Sequence, residues 1–214
     1  MKLPIFLSVF IIFVIFYNIK ANLADKKIRK ANDEFFEKER KAMFARKKPL
    51  DNLNYIKVSL DNLPLLKEDN LESYSFYEKQ AFKYQEDAFK YLDKPMLNLT
   101  GINNTDLKLE YGSANLNTII EYEQNYQNLL ENLFKWGDSL HKANRIDDAI
   151  LVLEKGVNIE SYLSKNYILL ADLYKKTNQK NKLIELKEIV NKKTSDNLMF
   201  KKVINHINNL LTEV

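Results

Sequence analysis

A spacing that returns after 34 residues constrains this chain more than any other feature. Leu133, Trp136, Gly137 and Leu140 fall at i, i+3, i+4 and i+7, one face of a helix. Asn144 interrupts, and Ile146, Ala149, Ile150, Leu153, Gly156 and Val157 form a second apolar face. Tyr167, Leu170, Ala171 and Tyr174 repeat the first set 34 positions on, and Asn178 stands where Asn144 stood. Asp138 corresponds to Asp172, Lys142 to Lys176, Ile150 to Ile184 and Glu154 to Glu188. The pattern predicts helical hairpins. Gly137 and Ala171 are small where two helices approach closely, and Trp136 and Tyr167 fill the space beside them. Asn at each break suits the left-handed backbone of a tight turn between helices.

Only four Gly and four Pro occur in 214 residues, which argues against a turn-rich β fold. The fold class is all-α, and the spans divide as follows. Residues 1–20 form a membrane anchor or uncleaved signal, and 21–70 a charged stalk helix and linker. Residues 71–114 form an aromatic-rich helix and an irregular segment, and 115–214 the helical repeats. The first span rests on Leu3 to Ile19, an almost wholly apolar run. Seventeen residues at about 1.5 Å each reach roughly 25 Å, enough to meet the bilayer core. Lys2 suits a signal peptide, but Asn22 and Ile19 fit poorly before a cleavage point, so an uncleaved single-pass anchor is the expectation. Lys20, Lys26, Lys27, Arg29 and Lys30 follow the run and place the body on the cytoplasmic side of the membrane; export remains the alternative.

The stalk reads as a solvated helix to about Lys48, ended by Pro49. Ile28, Phe35 and Ala42 lie seven apart, as do Phe36 and Met43, too few steps to define a coiled coil. Residues 50–66 read as a linker of turns. A helix is expected from Leu71 to Leu92, with Tyr77, Ala81, Tyr84, Ala88 and Tyr91 as a core stripe. Asn103-Asn104-Thr105-Asp106 offers a cap for a short helix ending near Gly112. One long helix is expected from Asn115 to Lys142. Ser195 is placed as the cap of a terminal helix carrying Leu198, Val203, Ile204, Ile207 and Leu211, packed on the second hairpin.

The recurrence resembles the tetratricopeptide repeat family. Leu133-x-x-Trp136-Gly137-x-x-Leu140 with Ala149-x-x-x-Leu153, and Tyr167-x-x-Leu170-Ala171-x-x-Tyr174, match its pattern of large, large, small and large residues. Lys187 departs from it. The resemblance implies that these residues pack the hairpins together. It further implies a groove for a peptide or protein partner, lined by Phe134, Asp138, His141, Ile168, Asp172 and Lys175. The function expected is then that of a non-enzymatic, membrane-anchored interaction module. An exported envelope-assembly factor, a hydrolase using convergent carboxylates, and a subunit that self-associates are the alternatives.

The chemistry of the chain excludes several classes. There is no Cys, hence no disulfide, thiolate metal site or cysteine nucleophile. His141 and His206 lack partners at metal-ligand spacing, no glycine-rich phosphate loop is present, and no cofactor is expected. Of the net charge of +4, the stretch from Lys20 to Lys48 carries +6 and everything after it −3, so the body is not expected to bind nucleic acid.

Overall fold

The computed structural model describes residues 3–194 and 198–212. Among these residues the protein is all-α. Its helices are α1 (Leu3–Met43), α2 (Phe76–Phe89), α3 (Asn104–Tyr111), α4 (Leu116–Lys142), α5 (Ile146–Asn158), α6 (Ser164–Lys176), α7 (Lys180–Thr194) and α8 (Leu198–Thr212). Ser195, the expected cap of α8, lies outside the described residues. The chain separates into two compact units, Met1–Asn52 with Gly101–Asn117, and Leu53–Thr100 with Thr118–Val214. The irregular segment that the sequence grouped with the aromatic-rich helix is thus shared between them.

In the first unit, apolar run and stalk are one unbroken helix, α1. The large apolar residues from Leu7 to Ile19 are exposed. It is long and apolar enough to cross a membrane. Continuous backbone bonding is what a bilayer demands of any segment within it.

The stalk was expected to stay helical to Lys48; it stops at Met43. Contacts from the last residue of α3 and from the turn after it explain the early end. Lys48 N–H donates to Tyr111 O at 3.1 Å, and Lys48 O accepts from Asn115 Nδ2 at 2.7 Å. Lys48 also precedes Pro49, which disfavours helical backbone there. Asn115 was expected inside the long helix. It is instead buried in a short 3₁₀ turn, with its amide donating as well to Tyr111 O.

Asn103 caps α3 as its sequence suggests, accepting from Asp106 N–H at 2.9 Å. Leu107 and Ala42 are buried where α3 packs on α1. Polar contacts ring that packing. Lys38 meets Asp106 at 2.5 Å, Thr105 Oγ1 donates to Glu39 at 2.5 Å, and Lys108 Nζ meets the other Glu39 oxygen. The Lys108 hydrogen bond, aided by Thr105, holds the Glu39 carboxyl below its ordinary range. The Lys38 hydrogen bond does the same for Asp106. Carboxyls depressed in the folded state favour folding above their unfolded values and lose that contribution as pH falls through the folded ones. Acidification below about pH 4 is therefore expected to loosen α3 from α1. Amide exchange of residues 103–112 measured against pH checks this; protection unchanged down to about pH 2 would exclude it.

In the second unit, α2 starts at Phe76 rather than Leu71, because Ser75 and Glu78 form a reciprocal capping box. It ends at Phe89, three residues before Leu92. Of the expected stripe, Ala81 and Ala88 are buried, Tyr84 and Tyr91 are half-buried, and Tyr77 is exposed. Gln85 is buried between them. Its side chain accepts from Leu66 N–H at 2.7 Å and donates to Leu66 O at 3.0 Å. Residues 53–66, expected as linker, are accordingly bound to the core. Leu60 and Leu66 are buried in it, and Ile56 N–H donates to Met96 O at 2.9 Å.

The long helix α4 and the three after it form the hairpins α4–α5 and α6–α7. Asn144 has φ 61° and Asn178 φ 57°, the left-handed conformation expected at both breaks. Each turn closes with the same bonds. Arg145 N–H donates to Leu140 O at 2.9 Å, and 34 residues later Gln179 N–H donates to Tyr174 O at 2.8 Å. These satisfy carbonyls that a helix end would otherwise leave unpaired. The turn between hairpins has the same form, with Ser161 N–H bonded to Gly156 O and the left-handed place taken by Glu160, φ 63°.

Candidate interaction surface

The packing residues hold the surface in shape. Leu133, Trp136, Gly137, Leu140, Ala149, Leu153, Tyr167, Leu170, Ala171 and Tyr174 are all buried. Gly137 marks a close approach in the first hairpin: a Cβ there would lie 2.8 Å from Leu153 Cγ. A second close approach, not read from the sequence, joins the hairpins. Asn166 on α6 lies over Gly156 on α5, where a Cβ would meet its amide at 3.0 Å, and Nδ2 donates to Leu153 O at 3.0 Å. An isolated polar residue in an apolar helix face, near a glycine on the preceding helix, was the available signal.

Two buried tyrosines fasten the first helices of the hairpins to the turn between them. Tyr126 donates to Ile159 O and Tyr167 to Ser161 O, each at 2.6 Å. Burial raises both phenols well above their usual range, so they remain neutral donors.

The last helix repeats the theme once more, with a shift of 33 residues. Phe200, Val203 and Ile207 are buried and stand 33 positions after Tyr167, Leu170 and Tyr174. Phe200 meets Tyr167 edge to face, ring centres 5.2 Å apart. Packed against α6 and α7, α8 occupies the place of a third first helix.

This arrangement decides the surroundings of the six residues expected to line a groove. On α4, Phe134, Asp138 and His141 are half-buried. Lys165 lies over the Phe134 ring at 4.5 Å and pairs with Glu131 at 2.7 Å, linking equivalent positions of the two hairpins. Asp138 pairs with Lys142 at 2.6 Å, four residues along its own helix. His141 Nδ1 is buried and has no hydrogen-bond partner among the described residues. On α6, Ile168 is half-buried against the core. Its two charged companions already have partners on α8: Asp172 bonds His206 Nε2 at 2.6 Å, and Lys175 donates to Leu210 O at 3.1 Å. The α4 end of this face is thus the less committed one.

Elsewhere in this unit a shallow cleft of about 230 Å³ lies between α5, α6 and α7, lined in part by Glu154, Tyr174 and Lys182. Tyr174 Oη and Lys182 Nζ each lie 2.7 Å from the same Glu154 oxygen, tying the two hairpins together. Burial and the Glu154 bond raise the Tyr174 phenol. The buried polar side chains among the described residues are amides and hydroxyls, with no Asp or Glu. The described residues hold no group of three or more His, Asp or Glu placed to share a metal ion. No protein-family model, curated protein or solved structure matches the chain.

Proposed function

We propose that the chain is a single-pass membrane-anchored adaptor, tetratricopeptide-like in its hairpins, that holds a segment of a protein partner without turnover. The recurrence in three dimensions carries this reading. Two hairpins with equivalent left-handed Asn turns stack through a shared small-residue contact and a 34-residue ion pair. Stacked hairpins of this kind present their first helices as one rigid, side-chain-rich face, and a rigid face binds with little ordering cost. The partner would lie across Phe134, Asp138, His141 and Ile168, with Asp172 and Lys175 bridged to α8 at one end.

The exposed apolar start of α1 would sit in the bilayer through Leu3–Ile19, concentrating the partner at the membrane. The basic residues after Ile19 favour a cytoplasmic body, an orientation read by fusing a cytoplasm-only reporter after Val214. A photo-reactive side chain placed at Phe134 or His141, activated in intact membranes, is expected to capture a protein that the same probe at exposed Glu188 on α7 does not. Identical adducts from both faces, or none from the first, would remove this reading.

A further inference from the structure

The continuity of α1 lengthens a periodicity that was too short to interpret in the stalk alone. Leu7, Val14, Ala21, Ile28 and Phe35 recur every seven residues along one uninterrupted helix. Phe10, Tyr17, Ala24 and Ala31 stand three places after the first four of these. Together they fill the a and d places of a heptad repeat over more than four heptads. In the apolar run such a count means little, since nearly every position is apolar. The polar part is decisive. From Lys20 to Lys41 the apolar residues are Ala21, Leu23, Ala24, Ile28, Ala31, Phe35 and Phe36, and only Leu23 and Phe36 fall outside a and d.

The seam is open where it could receive another helix: Ile28 is 57% exposed and Phe35 55%. One heptad on, the chain covers it itself. The next d place is Lys38, paired with Asp106 of α3, and the next a place is Ala42, fully buried where α3 packs. The same stripe is therefore already used for helix packing at its C-terminal end.

We propose that the open part of this seam pairs with α1 of a second copy of the chain in a parallel, in-register coiled coil. The parallel sense rests on the membrane reading above, since two anchors inserted the same way cannot run in opposite directions. Charge supports the self-match. In a parallel pair the g residue of one helix faces the e residue five positions on in its partner. Lys20 at g then faces Asp25 at e, twice by symmetry, and Lys27 faces uncharged Asn32. The following place, Glu34 against Glu39, would be repulsive, but Glu39 is bound to Lys108 and Thr105 of its own chain. The paired region ends there, where α3 takes over the stripe. Ala at 21, 24 and 31 permits close approach, and Ile28 and Phe35 supply the larger contacts.

The chain has no cysteine, so single Cys can be introduced without background. In the full-length protein in native membranes, Ala24→Cys, Ile28→Cys and Ala31→Cys are expected to oxidise to disulfide-linked dimers. Yields should exceed those of Lys26→Cys, Arg29→Cys and Asp33→Cys several-fold, because only facing positions come within disulfide reach. In the Ala24→Cys background, Asp25→Lys should lower the yield, and adding Lys20→Glu should restore it. A flat profile, a maximum on another face, adducts only with other proteins, or no response to Asp25→Lys would overturn the proposal. Alkaline extraction of the same membranes separates the two readings. Chain retained in the membrane with a flat profile removes the dimer alone. Chain released with its apolar run cleaved removes both, and for uncleaved chain in any fraction the profile decides.

Discussion

Gly112→Ala is expected to detach α3 from α1 while leaving the second unit folded. Gly112 has φ 89°, where a side chain is strained whatever the space around it. Here the space is also filled: an added Cβ would lie 2.4 Å from Arg46 O and 2.7 Å from Lys47 Cα. These are backbone atoms, and no rotamer change can move them aside. Residues 44–49 would have to shift, carrying with them the Lys48–Tyr111 and Lys48–Asn115 bonds that end α1 at Met43. Strain and lost bonds together predict a loss of about 3 kcal/mol or more from this unit. Gly101→Ala is the natural comparison. Gly101 also has a left-handed φ, 86°, but an added Cβ meets nothing within 4 Å. Its cost should be only conformational, about 1–2 kcal/mol. Amide exchange read unit by unit checks the pair; equal losses in the two variants would show that the Arg46 contact is not what matters.

The second large effect lies in the first hairpin. Trp136 is fully buried, and its Nε1 is a buried donor with no hydrogen-bond partner among the described residues. Trp136→Ala removes the largest side chain of that core and is expected to cost about 3–5 kcal/mol, most of it from the cavity left behind. Trp136→Phe keeps much of the contact area and discards the unpaired N–H, which forfeits no bond. Its cost should be much the smaller, about 1–2 kcal/mol. Because Trp136 is the only tryptophan, tryptophan fluorescence is lost in both variants and helix content against urea is the measurement. If Trp136→Phe proves as damaging as Trp136→Ala, the indole N–H has a role that its surroundings do not reveal.

What could be read in advance depended on how far each signal reached along the chain. The left-handed turns at Asn144 and Asn178 were legible because Asn itself tolerates that conformation. The equivalent turn at Glu160 was not, since nothing in a glutamate announces it. Gly137 was legible as a small residue set among large ones. Gln85 was not, because its partners are the backbone groups of Leu66, nineteen residues away in a stretch that resembles linker. The early stop of α1 had the same origin: residues 103–115 impose it from a distance. For the candidate surface, it was the resemblance to tetratricopeptide repeats that named Phe134, Asp138 and His141, which lie on α4, and Ile168, Asp172 and Lys175, which lie on α6. That Asp172 and Lys175 meet α8 follows from where the last helix lands. The change of period from 34 to 33 residues between Tyr167 and Phe200 hid that outcome.

The unbroken run of α1 from Leu3 to Met43 also makes it a strut with a defined phase. If Leu3–Ile19 lies in lipid, the rise of about 1.5 Å per residue sets the α3 docking site some 30 Å above the bilayer. Each residue removed between Lys20 and Glu37 would lower that height slightly and turn the site about the axis by roughly 100°. Removing seven would bring it back to nearly the same compass bearing. Length and azimuth at the membrane are thus coupled in this protein, and azimuth is by far the more sensitive of the two.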